Sequence, residues 1–271
     1  MGHFLIVESD ENGVTRPECR GIANALGGAI GCDLALERPE RHNGVMRAAR
    51  FFASALLAAI LACSSSVDEF DDPDVAAHPA NPQGVAYPTD NIGWTARANA
   101  KLPGKRIPNL AFQGYVDSNR SAGLKVISLS DFYDPKAEKY KAIHVQVAAT
   151  WCPNCKAQAA DTAAKRDALV ARGAALLEVI VAGNTHGAGP SIGEVDSWIT
   201  DHKTNFTVLI DVRAKRLGPI ANGGSEFPVP LNMLIDPRTM EILRIDSGYP
   251  DDANKYVGAA IDFVNGTPPS Y

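Results

Sequence analysis

Residues 143–155 read IHVQVAATWCPNC, an apolar run that gives way to two cysteines with two residues between them. Ile143 to Ala149 carries the β-branched and apolar residues of a buried strand. Residues 152–172 then read as a helix, with Ala157, Ala160, Ala164 and Ala168 as its small apolar positions and Gly173 as its stop. Cys152 and Cys155 therefore fall where a buried strand turns into a helix. At a helix N-terminus the unpaired N–H groups and the macrodipole favour negative charge. A thiolate at Cys152 is stabilised there and becomes nucleophilic near neutral pH. Cys155 is one turn further on and less exposed, placed to attack a mixed disulfide on Cys152. Pro153 suits the first helical turn, where its missing N–H costs nothing.

Two other uses of such a pair fit less well. A zinc site needs a second Cys/His pair at ligand spacing, and none follows; His186 and His202 lie apart. A purely static disulfide closing a two-residue loop gains little from loop entropy. Strand, CxxC and helix together point to redox chemistry.

Outward from this turn the chain alternates. Asn109–Val116 and Leu124–Ser130 read as a hairpin around residues 117–120. Leu176–Ala182 (LLEVIVA) is a second buried strand. Ser191-Ile-Gly-Glu194 is a capping box opening a helix with Ile192, Val195 and Ile199 on one face. Phe206–Ile210 is a further strand. Leu231–Ile235 and Met240–Ile245 flank the turn Asp236-Pro-Arg-Thr239. A last helix begins near Asp252, with Tyr256, Val257, Ala260, Ile261 and Val264 inward. The order is hairpin, then βαβαβ, then ββα, which predicts an α/β fold with a mixed central sheet.

These pieces resemble a thioredoxin-like domain, close to the TlpA-like membrane-anchored thiol–disulfide oxidoreductases of bacteria. The resemblance rests on ATWCPNC at the strand–helix turn, IPNLAFQGY and SLSDFYD before it, and VPLNMLID near the C-terminus. It implies a three-layer α/β/α sandwich with an N-terminal β-hairpin extension. It implies Cys152 and Cys155 as the catalytic pair, with Trp151, Pro153, Val229 and Pro230 as substrate-binding residues. The family's cis-Pro, six residues before the Asp of its LID motif, matches Pro230, with Pro228 the competing choice. The backbone of Val229 would pair with extended substrate. Thioredoxins carry a buried carboxylate six residues before the first Cys; here that position is Gln146. TlpA-like proteins often have an amide there, so the resemblance survives but the carboxylate-assisted route does not. His144 alternates with apolar neighbours and reads as a half-buried strand residue.

The implied activity is disulfide exchange with protein thiols and disulfides, more in keeping with a reductase, serving cytochrome c maturation or general thiol repair. No cofactor or metal is implied. A thioredoxin-recycling type of membrane electron donor would regenerate the pair. Two alternatives stay open. A thiol peroxidase-like redoxin shares the fold, but its Pro-x-x-x-Thr-x-x-Cys pattern is missing: Thr150 lies only two before Cys152. A non-catalytic copper-delivery protein would use CxxxC and a later loop His, for which His186 is the one candidate.

The remaining sequence concerns location. Residues 46–63 (MRAARFFASALLAAILAC) hold a basic start, a 12-residue apolar run from Phe51 to Ala62 and a terminal Cys. Spanning a bilayer takes about 20 apolar residues, so the run reads as a signal peptide. Ile60-Leu61-Ala62-Cys63 resembles a lipobox, which implies lipid attachment at Cys63 and a place in the cell envelope, facing the periplasm or exterior. Met46 is then the natural start. Residues 1–45, which include Cys19 and Cys32, become a non-native or disordered extension. The division is 1–45, a signal peptide over 46–62, an acidic Pro-rich tether over 63–100, and the thioredoxin-like domain over 101–271. The tether reading rests on residues 64–85, which hold five acidic residues and three prolines with no Lys or Arg. A formal net charge of -5 argues against nucleic-acid binding, which needs clustered cations.

Overall fold

The computed structural model describes Phe70, residues 72–99, 101–185, 187–221 and 228–271. The expectations for residues 1–45, the signal peptide, Cys63, Cys19, Cys32 and His186 lie outside these residues.

Seven strands form one mixed sheet in the order β2-β1-β5-β4-β3-β6-β7. They are β1 Ala111–Tyr115, β2 Lys125–Ser128, β3 Ala142–Ala149, β4 Ala174–Ala182, β5 Thr207–Ile210, β6 Leu231–Asp236 and β7 Glu241–Ser247. The helices are α1 Pro153–Ala171, α2 Ile192–Asp201 and α3 Ala253–Gly266. Strands β3, β4 and β5 run parallel, while β1 pairs antiparallel with both β2 and β5, and β6 with both β3 and β7. Both hairpins and the element order follow the sequence reading, and the fold is the thioredoxin-like α/β class with its N-terminal hairpin.

Because β3, β4 and β5 advance across the sheet in one direction, right-handed crossovers place α1 and α2 on the same face. On that face Ile180, Val208 and Ile210 meet Val195, Trp198 and Ile199 of α2. Leu176 and Leu234 meet Tyr256, Val257 and Ile261, which puts α3 there too. The opposite face, with Ile143, Val145, Val147, Leu177, Val179 and Met233, is covered by Tyr87, Ile107, Leu129, Leu217 and Met240 from the N-terminal segment, loops and turns. Among the described residues the helical pieces of this layer are short 3-10 turns, such as Leu129–Phe132 and Val212–Ala214.

The N-terminal segment corrects the tether expectation. Residues 72–99 belong to the same compact unit as the sheet. Tyr87 is buried and its hydroxyl donates to the Ile107 carbonyl at 2.7 Å. Asn81 donates to the Tyr133 carbonyl at 3.0 Å, and Arg216 meets Asp72 at 2.6 Å. The backbone N–H groups of Arg97 and Ile242 bond the carbonyls of Ile242 and Lys105, which occupies the edge of β7. An acidic, proline-rich composition signals little apolar burial on average, but one tyrosine and a few amides suffice to dock a strap onto a preformed face. The folded unit reaches back to residue 72 rather than starting at 101.

Glu241 locks this strap. Its side chain is fully buried, with Oε1 accepting the Gly104 N–H at 2.7 Å and Oε2 accepting from Arg97 Nη2 at 2.8 Å. Removing one partner of a buried ion pair costs about 3–5 kcal/mol. Glu241→Ala is expected to lower unfolding stability by that amount in urea titration. A loss under about 1 kcal/mol, the size of a surface pair, would contradict a locking role.

The buried face of α1 also departs from expectation. Ala157, Ala160, Ala164 and Ala168 are all exposed, and the inward residues are Cys155, Gln158, Ala159, Thr162, Ala163 and Leu169. Two polar side chains turn inward because partners wait for them on the sheet, as the site shows.

Candidate active site

Cys152 is the N-cap of α1, in extended conformation (φ -80°, ψ 115°), and Pro153 occupies the first turn. The N–H of Cys155 donates to Cys152 Sγ at 3.2 Å. This is the N-cap arrangement in which a sulfur replaces the usual oxygen, and the same donor would stabilise a thiolate. The two cysteines are disulfide-bonded, with Cα atoms 5.2 Å apart. Cys152 is 3 % exposed and Cys155 1 %. The expected difference in exposure is thus small in the oxidised pair: both sulfurs sit in an apolar cluster with Ala148, Ala159, Ile180 and Trp198.

The Val229–Pro230 peptide is cis, at the Pro read from the LID spacing rather than at Pro228. The Val229 carbonyl oxygen lies 3.6 Å from Cys152 Sγ. A disulfide sulfur has no proton, so this is a packing contact. It brings the loop before β6 against the end of β3. Trp151 is 54 % exposed, a large apolar surface beside the pair. Pro153 is also at the surface. Of the residues read as site residues, Cys152, Cys155, Trp151, Pro153, Val229 and Pro230 converge at the C-terminal end of β3, beside the start of β6; Cys63 lies outside the described residues.

Beneath the pair runs a buried polar network that spacing did not reveal. Gln146, at the position where thioredoxins carry a carboxylate, faces Glu178 across the β3–β4 register. Gln146 Nε2 donates to Glu178 Oε1 at 3.0 Å, and Trp198 Nε1 donates to Glu178 Oε2 at 2.8 Å. Gln146 Oε1 accepts from Gln158 Nε2 at 3.0 Å and from the Thr162 hydroxyl at 3.1 Å. Gln158 Nε2 also reaches Asn232 Oδ1 at 2.5 Å, which accepts from His144 Nε2 at 2.8 Å. These are the partners that rotate α1.

His144 is fully buried rather than half-buried, and burial holds it down at about 4 in spite of its bond to Asn232. It stays neutral across the physiological range. Its Nδ1 has no partner among the described residues. Burial pushes the Glu178 carboxyl up to about 8, against the pull of the Trp198 and Gln146 donors. Sequence reasoning passed over Glu178. The available signal was a single charged residue inside the otherwise apolar LLEVIVA strand. Among the described residues no group of three or more His, Cys, Asp or Glu side chains could hold a metal ion.

An N-cap cysteine pair facing a cis-proline loop at the end of a parallel strand defines a thioredoxin-like redoxin. The AhpC/TSA family model matches residues 103–240, just over half of the chain, and the chain belongs to that family. No curated protein is matched. Solved structures similar to this chain include a secreted thiol–disulfide isomerase from Corynebacterium glutamicum, 14% identical over 66% of this chain and 96% of its own, with TM-score 0.47. A 2-Cys peroxiredoxin from Plasmodium vivax is 15% identical over 60% and 96%, with TM-score 0.46. The thioredoxin domain of a thiol–disulfide oxidoreductase from Bacteroides vulgatus is 15% identical over 60% and 99%, with TM-score 0.43.

Proposed function

We propose that this chain is an extracytoplasmic thiol–disulfide oxidoreductase that works by its Cys152–Cys155 dithiol, in the reducing direction. The carrying observation is Cys152 Sγ at the helix N-cap, bonded to Cys155 and facing the Val229 carbonyl at 3.6 Å. In the dithiol form, Cys152 thiolate attacks one sulfur of a substrate disulfide. A Cys152–substrate bond forms and the other substrate sulfur leaves as a thiolate. Cys155 then gives up its proton and attacks Cys152 Sγ, which expels the second substrate thiolate. Two electrons pass to the substrate, which takes up two protons overall, and the protein is left as its disulfide. An external dithiol donor reverses that last state.

The neighbourhood suits protein substrates. Trp151 offers exposed apolar surface beside the pair, and the Val229 backbone lies where an extended segment could add to it. Reduction of a disulfide-bonded test protein, with dithiothreitol as donor, tests the reading. Catalysis above the rate of dithiothreitol alone is expected, and none would overturn it.

The family match favours one second reading, a peroxide-consuming redoxin. Thr150 two residues before Cys152 and the partner Cys within one turn set this site apart from the peroxidase pattern. Hydrogen peroxide consumption outpacing disulfide reduction would reverse the order of the two. The lipid anchor at Cys63, the envelope location and the membrane electron donor are part of the proposal and rest on residues 46–63. No helix among the described residues is long and apolar enough to cross a membrane. Mass spectrometry of the cell-derived protein tests the anchor: an acylated Cys63 at the mature N-terminus is expected, and an intact chain through residues 46–63 would remove it.

A further inference from the structure

Glu178 is a carboxyl sealed between the sheet and its helices. It is fully buried, bridged to β3 by Gln146 and to α2 by Trp198. Both bridges lead to the cysteines. The Trp198 ring packs in the same apolar cluster as Cys152, Cys155 and Ile180. Gln146 is held by Gln158, which follows Cys155 by one turn on the buried face of α1. A charge on Glu178 therefore sits in low dielectric, one side chain removed from the buried cluster in which reduction of the disulfide creates a thiolate.

The groups that face Glu178 are few. From β3 there is the uncharged Gln146, with neutral His144 beyond it across Asn232. From β5 the register partner is Val208. From α2 comes Trp198, with the His202 ring edge-to-face against it at 4.5 Å and held below the usual histidine range by burial. From α1 come Gln158 and Thr162, which reach Glu178 through Gln146, and the cysteine pair, which shares the buried cluster of Trp198. Tyr115 of β1 closes the same cluster, its hydroxyl raised by burial and by Asp196. The groups that bond the carboxyl are the uncharged Gln146 and Trp198, so a Cys152 thiolate and a Glu178 carboxylate would be like charges on either side of one buried cluster.

We propose that Glu178 is a positioning residue that couples the Cys152–Cys155 pair to pH: reduction of the disulfide to a Cys152 thiolate drives proton uptake at the Glu178 carboxyl. The inference rests on the oxidoreductase reading above. Two electrons and one proton convert the disulfide into one thiolate and one thiol. Where Glu178 is ionised in the disulfide form, a further proton from solvent neutralises it. Burial brings this group's titration close to neutrality (about 8), so the coupling falls in a working range.

The test is the dithiol–disulfide equilibrium of the full chain against dithiothreitol from pH 6 to 9.5, for the wild type and Glu178→Gln. Below pH 7 the wild-type carboxyl is neutral, and the two proteins are expected to differ by a constant factor. Above pH 8 the wild-type equilibrium is expected to move three- to tenfold further toward the disulfide than that of E178Q. A ratio that stays constant over the whole range overturns the proposal and leaves Glu178 a packing residue. If E178Q does not fold, ¹³C NMR of the Glu178 carboxyl in the wild type decides. A midpoint that rises on reduction supports the coupling, and equal midpoints in the two redox states overturn it. A wild type that reduces no disulfide-bonded protein removes the function but not this coupling, which is read without substrate. A constant ratio in an active wild type removes only the coupling.

Discussion

Cys152→Ser is expected to lose disulfide exchange by a thousandfold or more, on the order seen when an enzyme's nucleophile is removed. The reason is positional. Only Cys152 holds the N-cap, where the Cys155 N–H and the N-terminal end of α1 stabilise a sulfur anion. Cys155 sits inside the first turn, where it supplies the capping N–H rather than receiving it. Cys155→Ser has the complementary outcome. The first attack proceeds, the second does not, and a covalent Cys152–substrate adduct accumulates, visible as a mass increase that dithiothreitol removes. Full exchange by C152S, or an adduct carried by Cys155 in that variant, would reverse the two roles.

The second large effect concerns stability and its sign. Glu178 has a folded pKa of about 8, above its ordinary 4.5, so between those values the folded state binds more protons than the unfolded. Its contribution is fully present below pH 4.5 and is lost as pH rises toward 8. His144 is shifted the other way, to about 4 from 6.5, so its contribution is present above pH 6.5 and is lost as pH falls toward 4. The two slopes oppose each other between pH 4.5 and 6.5. From pH 6.5 to 8 the Glu178 slope is no longer opposed by that of His144. One pH unit is worth at most about 1.4 kcal/mol per proton. The oxidised protein is therefore expected to lose about 2 kcal/mol of unfolding free energy over this interval, measured by urea titration at fixed pH. In E178Q the interval is expected to be flat, and the rise due to His144 between pH 4 and 6.5 stands uncancelled. The same loss in E178Q would assign it to another group.

How much of this could be read from the chain depends on the range of the interactions. The strand–CxxC–helix turn, the Ser191–Glu194 capping box, both hairpins and the inward residues of α3 depend on neighbours within a few positions. Local periodicity and cap chemistry therefore reveal them. Pro230 was legible through its spacing to Asp236, and its cis peptide lies where that spacing put it.

The inward face of α1 was not legible. An alanine stripe looks like a core face, but Gln158 and Thr162 gain hydrogen bonds from Gln146 and Asn232 that the alanines cannot make. Buried polar groups go where partners are, and these partners come from β3 and β6. The docking of residues 72–99 was hidden for a similar reason: its acidic, proline-rich composition says nothing of a Tyr87 that finds the open face of the sheet.

By itself, then, the sequence determined the cysteine pair at the strand–helix turn, the element order and the mixed sheet, because each rests on short-range pattern. Only the tertiary structure decided that a carboxyl lies beneath the pair. Glu178 becomes a buried acid through residues 146 and 198, which reach it across a strand register and a helix packing that no local pattern contains.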